Sequence, residues 1–450
     1  MDAATNIFSA RVGKELAWVI AGQVMAAAGG FIGVRYMTRA MAPAVYGELA
    51  LALTGATLVQ QCVGGPISQS AIRFFALARE TARLPEYFAS IRRMVVRASG
   101  FLVVFGFAGY MVARSLDRTL RPLPILLGLL FSIVYGCNIV TDAIQSGARR
   151  RIVVAFHQAL AQWLKPLLAV AVMLLLGASA WVALFGYVAA VATVLISQIA
   201  SLRPHIRAAR ELAIGDPPPA IAPEPLNSLM TRYAWPFVSW GLLCWLQVSS
   251  DRWFLNWFRD AESVAAFAVC FQLGYYPILL LSTAIGSLTT PILFQVGGDG
   301  QNRERLQRAA VMNYWQTLVV LSITALAALA VYPLRFPLMR TLAAPVYASC
   351  AVYLPWMILA GGLFSAGQAA SMIFLVGTRP DRLVRIKIIT AVLGTLSNGI
   401  LIYYMGIAGA VVSCLGFGFI YCLSVIVCIR GVPEYCGRRP VAPAAPMAGV

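Results

Sequence analysis

Apolar residues along this chain run on for longer than a soluble helix needs. Twelve stretches of about 20 residues or more lie at roughly 15–36, 45–68, 95–114, 122–144, 152–176, 179–201, 233–257, 263–294, 310–332, 348–376, 386–404 and 406–429. At 1.5 Å per residue, about 20 residues span the roughly 30 Å of hydrocarbon in a bilayer. Backbone polar groups find no water there, so each stretch must be a helix or a strand of a closed barrel, and uninterrupted runs of this length point to helices. The expectation is an all-α polytopic membrane protein with about twelve transmembrane helices.

The polar intervals divide the chain into a tail at 1–14, a six-helix bundle at 15–201, a linker at 202–232, a second six-helix bundle at 233–430 and a tail at 431–450. The linker holds Pro217, Pro218, Pro219, Pro223 and Pro225, a density that predicts a stiff, extended connection. Residues 73–97 mix Arg79, Glu80, Arg83, Glu86, Arg92 and Arg93 with Leu77, Leu84, Tyr87 and Phe88. Two readings of that segment stay open, an amphipathic helix in the inner headgroup layer and a solvated connector. With an offset of 218, Ala44–Ala50 falls on Glu262–Ala268, each opening a span. Six spans and six, with both termini on one side, predict halves related by an axis along the membrane normal and cargo held between them.

Composition agrees: 60% hydrophobic residues, 12% charged and a mean hydropathy of +0.78 exclude a soluble globular domain. The net charge of +18 is spread along the loops and tails, with no soluble domain to concentrate it. With the N-terminus inside, 25 of the 35 cations, Lys387 among them, fall in inner loops and tails and 9 outside. That bias predicts cytoplasmic termini and accounts for the basicity, so no nucleic-acid partner is implied. The first apolar run reads as an uncleaved anchor, although Met25-Ala26-Ala27-Ala28 imitates a cleavage site. Nine single cysteines and two distant histidines, His157 and His205, show no disulfide framework and no metal-ligand spacing.

One span carries chemistry of its own. Lys165 lies about halfway along 152–176, with Gln158 and Gln162 at helical spacing on the same stripe and Pro166 interrupting the hydrogen-bond ladder. An ammonium at that depth costs about 2.5 to 3.5 kcal/mol on insertion scales, so it faces protein or a water-filled cavity. Pairing inside a packed bundle and service as a cationic cavity wall both remain open. Gly22, Ala26, Gly29, Gly30 and Gly33 in the first span predict close helix packing.

Further residues resemble a family. Asp251-Arg252-Trp253 followed by Val264-Ala265-Ala266-Phe267, with Arg35–Pro43 into Tyr46-Gly47-Glu48 and Gly65-Pro66 through Arg73-Phe74, are similar to bacterial polysaccharide and O-antigen-type flippases of the multidrug, oligosaccharidyl-lipid and polysaccharide exporter superfamily. Ala265 departs from the usual glycine. Twelve spans also differ from the fourteen of the peptidoglycan-precursor branch. The resemblance implies two six-helix bundles around a central cavity in the bacterial inner membrane. It also implies transport of an undecaprenyl diphosphate-linked oligosaccharide from the inner to the outer leaflet, with a polymerase and chain-length proteins as pathway partners.

Such cargo needs cations and hydrogen-bonding amides. Lys165, Arg35, Arg73 and Arg252 are the cations at or near membrane depth, with Gln61, Gln158, Gln162, Gln247, Gln272 and Asn398 as neutral partners. Arg35 and Arg252 could equally snorkel to the outer interface, and Arg73 could anchor the inner boundary. No phosphate-binding GxxxxGK[S/T] loop occurs, so no nucleotide cofactor is implied. Candidate coupling carboxylates are Glu48, Asp142 and Asp251, the last of which could simply pair with Arg252. Competing readings are a multidrug or cation exporter, a membrane polymerase or glycosyltransferase, and a passive scaffold. An enzyme is disfavoured by short outer loops and the lack of an adjacent acidic pair.

Overall fold

The computed structural model describes residues 2–116, 122–215, 224–298, 302–377 and 380–430. Every regular element among them is helical. In chain order they are α1 (Asp2–Ala40), α2 (Pro43–Val59), α3 (Gly65–Glu80), α4 (Leu84–Leu116), α5 (Pro122–Gly147), α6 (Arg151–Leu176), α7 (Ala180–Gly215) and α8 (Leu226–Ala234). Then follow α9 (Pro236–Phe258), α10 (Ala261–Cys270), α11 (Tyr276–Gly297), α12 (Arg303–Leu342), α13 (Leu354–Val376), α14 (Pro380–Met405) and α15 (Ile407–Arg430). A π-helical turn at Gln60–Gly64 joins α2 to α3, and another at Phe271–Tyr275 joins α10 to α11. Each is followed within a few residues by a proline, Pro66 or Pro277, which has no N–H for the regular ladder.

With those pairs joined, the helices follow the twelve apolar stretches. Nine described spans are long and apolar enough to cross a membrane on length and composition. Of the other three, α1, the α2–α3 pair and α9, the last two are set apart by polar residues, Gln60, Gln61, Gln69 and Arg73 in the α2–α3 pair and Gln247, Asp251 and Arg252 in α9. Lipid does not tolerate that polarity, so these helices need protein around them.

Two compact units emerge. One comprises the described residues of 1–273, 334–353 and 395–410, the other those of 274–333, 354–394 and 411–430. They do not follow the expected division at 202–232, because α9 and α10 pack into the first unit. A side chain on Gly241 of α9 would collide with the Gln61 carbonyl, and one on Gly47 of α2 with the Ala261 carbonyl, so the backbones touch there. In the second unit Asn313 of α12 donates to the Ala370 carbonyl of α13 at 2.8 Å.

Two segments differ from their sequence readings. Residues 73–97 form neither a separate interfacial helix nor a loose connector. They complete α3, turn at Thr81–Arg83 with Ala82 at a φ of 53°, and begin α4. The Tyr87 hydroxyl donates to the Ala71 carbonyl at 2.8 Å and closes this hairpin, which burial of Ile67, Ala78 and Ile91 consolidates. Nor is 202–232 an extended linker throughout. Helix α7 continues to Gly215, and α8 begins after Pro225, whose ring suits a helix entrance. Leu226 and Met230 of α8 are fully buried against α3 and α4, and the Leu226 N–H donates to Glu86 at 2.8 Å. Pro217 to Pro219, Pro223 and the tail 431–450 lie outside the described residues.

Candidate functional site

The polar groups of the fifth apolar stretch are placed by the packing of α6 against α1, α5 and α7. Gly29 and Gly33 of α1 let α6 approach closely. An added Cβ would lie 2.9 Å from the Trp163 ring and 2.9 Å from the Pro166 ring respectively. Trp163 also donates through its indole N–H to the Met25 carbonyl at 2.9 Å. That contact fixes the rotation of α6 and directs its polar stripe toward α5 and α7.

Along the stripe, Lys165 is half-buried with its Nζ 5.6 Å from the centre of the Tyr135 ring on α5. A cation on an aromatic face recovers about 0.5 to 2 kcal/mol of what desolvation costs it. Two turns away on both helices, Gln158 of α6 donates to Asp142 of α5 at 3.3 Å. Gln198 of α7 donates to the other carboxylate oxygen at 2.7 Å. Gln158 is exposed, Gln162 and Asp142 are half-buried, and Gln198 is buried.

The polar run continues down α7. Gln145 of α5 donates to the Ser201 hydroxyl at 3.3 Å, and Arg150 donates to the Ser201 carbonyl at 2.9 Å. The buried amide oxygens of Gln145 and Gln198 accept no hydrogen bond among the described residues. His157 is buried beside them, with Nδ1 2.8 Å from the Val153 carbonyl and Nε2 3.0 Å from the Ser197 hydroxyl. A carbonyl can only accept, so Nδ1 carries a proton toward Val153, while Nε2 and the Ser197 hydroxyl form the second hydrogen bond. The arrangement places a cation and a carboxylate two helical turns apart on one face, with neutral amides between and beside them.

The remaining candidates lie elsewhere in the same unit. Arg35 of α1 is half-buried and donates to the Thr341 carbonyl at 2.7 Å. Arg252 of α9 is buried 3.8 Å from Asp251 and lies 4.4 Å from the centre of the Phe271 ring, so its charge has partners inside the bundle. Nearby, Asn398 donates to the Ser250 hydroxyl at 3.1 Å. Gln247 is buried, Gln272 is half-buried with its amide facing Gly30, and Gln61, Arg73 and Glu48 are exposed. Among the described residues no three His, Cys, Asp or Glu side chains gather as a metal site.

Sequence reasoning missed two features. Gln198 was legible as an intramembrane amide, but its partner Asp142 lies 56 residues away. Lys387, counted above with the inner loops, is instead fully buried in α14 of the second unit, with Nζ 5.0 Å from the Tyr421 ring centre and 5.6 Å from that of Phe364. The chain has three lysines, and two of them, Lys165 and Lys387, therefore lie against aromatic rings inside helical bundles.

The family described as "Polysaccharide biosynthesis protein" matches residues 12–296, more than half of the chain. The chain belongs to this family. The resemblance drawn from Asp251-Arg252 and the opening motifs thus holds. No curated protein sequence matches the chain. Among solved structures, this family member resembles the lipid II flippase MurJ in its inward closed conformation, at 11% identity and a TM-score of 0.64, covering 92% of this chain and 87% of that one. It also resembles a point mutant of the Vibrio cholerae MATE transporter VcmN, at 11% identity and a TM-score of 0.63, covering 96% and 100%. An outward-facing multidrug resistance MATE transporter of the MOP superfamily follows at 14% and 0.59, covering 94% of each chain. At these identities the likeness establishes the transporter fold shared by flippases and drug exporters.

Proposed function

We propose that the protein is a secondary transporter that flips an undecaprenyl diphosphate-linked oligosaccharide from the inner to the outer leaflet for cell-surface polysaccharide synthesis. The observation that carries this reading is Lys165, half-buried at the middle of an apolar helix with Gln158 and Gln162 on the same stripe. An ammonium offers a diphosphate its charge, while amides offer sugar hydroxyls both donors and acceptors. Membership of a polysaccharide biosynthesis family and the flippase-like fold support the same cargo. Arg35, Arg73 and Gln61 are secondary contacts, and Arg252 holds Asp251 and Phe271 before any cargo arrives.

Asp142 is the proposed coupling group. Its carboxylate and the open amide oxygens of Gln145 and Gln198 offer acceptors to a proton or a monovalent cation. The arginine bias supports cytoplasmic termini, and the proposed setting is a bacterial inner membrane, where a polymerase and chain-length proteins would act on the product. The cycle is alternating access, with the prenyl tail remaining in lipid while the head crosses.

The test is translocation of a fluorescent undecaprenyl diphosphate oligosaccharide in proteoliposomes, with and without a proton or sodium gradient, against empty liposomes. Protein-dependent movement is expected, and Lys165→Ala should reduce it at least tenfold at unchanged membrane abundance. Loss of the variant from the membrane would instead assign Lys165 to packing. Uptake of a soluble organic cation without movement of any lipid-linked sugar would favour the exporter reading, which the likeness to MATE transporters keeps in play.

A further inference from the structure

A cavity of about 430 Å³ lies between α4, α5 and α7, apart from the Lys165 stripe. Ligand pockets commonly measure about 300 to 1,000 Å³. Its walls are apolar, with Val95 from α4, Val140 and Ile144 from α5, and Leu195, Ile199 and Leu202 from α7. Arg92 is the one charged residue among its described lining residues, and its side chain is exposed. The basic character continues around that end, since Arg93 and Arg97 of α4 and Arg203 of α7 are exposed. Asp142 follows the lining residue Thr141 but does not line the cavity, and its carboxylate is engaged by Gln158 and Gln198.

The outer side is equally defined. Beyond Val95, helix α4 exposes Val96, Val103, Val104 and Phe105, a surface that only hydrocarbon covers without cost. A mostly apolar cleft opening onto lipid accepts a hydrocarbon chain, and its few polar lining groups, Thr141 and Arg92, leave most of its walls without a partner for water. An exposed arginine at the basic end offers two parallel N–H donors to a phosphate.

We infer that this cavity binds an anionic phospholipid of the arginine-rich leaflet, with one acyl chain among Val95, Val140 and Ile199 and its phosphate on Arg92. One chain among apolar walls with a single lining arginine at the basic end is the layout of a leaflet phospholipid, and competition with undecaprenyl phosphate distinguishes it from the carrier lipid. The bound lipid fills the space between α4 and its neighbours, a gap that would otherwise cost packing contacts along that side of the bundle. This inference does not depend on the cargo proposed for Lys165.

The experiment uses the full chain in phosphatidylcholine nanodiscs carrying a small fraction of phosphatidylglycerol with a photoreactive acyl chain, and cross-links are mapped by mass spectrometry. Labelling should concentrate on peptides holding Val95, Val140 to Ile144 and Leu195 to Leu202. Arg92→Ala should lower it about fivefold, the worth of one interfacial arginine before an anionic lipid, while Arg92→Lys retains most of it. Unlabelled phosphatidylglycerol should compete and phosphatidylcholine should not, a measurement on the unaltered protein. Labelling no denser there than on exposed Leu174 to Leu176, or indifferent to Arg92→Ala, would overturn the inference. Displacement of the probe by undecaprenyl phosphate alone would reassign the cavity to the carrier lipid and overturn it as well.

Discussion

Two lysines in membrane-spanning helices meet aromatic rings, but their surroundings differ. Lys165 is half-buried beside exposed Gln158, while Lys387 is wholly enclosed with Tyr421 and Phe364. Tyr421 also donates to Gln368 at 3.0 Å, so its ring is held in place beneath the ammonium. Tyr421→Phe keeps the ring face and loses one hydrogen bond, and should lower stability by about 1 kcal/mol. Tyr421→Leu removes the face as well and should cost about 2 kcal/mol more, since a desolvated cation loses one of its aromatic contacts. Thermal unfolding in detergent would read both, and equal losses for the two variants would show that the ring face contributes nothing. Lys165 was legible in the sequence because it interrupts the middle of an apolar run. Lys387 was not, because it stands second in its stretch, where arginines of the preceding loop make it look like one more boundary charge.

At the scale of elements, close approach governs the first unit. Gly29→Ala would place a methyl 2.9 Å from Trp163 and force α1 and α6 apart, at a cost of about 1 to 3 kcal/mol. A lower Tm in detergent, with Gly100→Ala near neutral because its Cβ would meet open space, would check this. Helix α8 is a second case. Its first N–H is capped from another helix by Glu86, which also accepts from Arg83 at 2.8 Å. Glu86→Ala should therefore loosen α8 by about 1 kcal/mol, the usual worth of a cap. Faster trypsin cleavage after Arg232 would report it, and an unchanged rate would show that burial of Leu226 and Met230 suffices. The small-residue pattern made the α1–α6 contact legible. The α8 contact was hidden by its prolines, because proline density is read locally while Leu226 and Met230 acquire their partners only in the fold.

At the scale of the whole molecule, proposed coupling through Asp142 separates movement from its energy source. Asp142→Asn keeps an oxygen for Gln198 and turns an amide N–H toward Gln158, whose own amide oxygen can accept it, but removes the titratable, charged group. In proteoliposomes it should lose at least tenfold of the stimulation by a proton or sodium gradient while retaining gradient-independent exchange of lipid-linked sugar. Unaltered stimulation would exclude Asp142 as the coupling group. The span count, the helical class and the family were legible from sequence alone, because hydrocarbon leaves a backbone of that length few options and the apolar runs record it directly. Residue order also determined that Lys165, Gln158 and Gln162 share a stripe, since helical periodicity is a local property. Tertiary structure alone decided what the stripe faces. Tyr135 beneath Lys165, Gln198 on Asp142, the enclosure of Lys387 and the cleft beside Arg92 join residues from different helices, and no local spacing encodes which helices become neighbours.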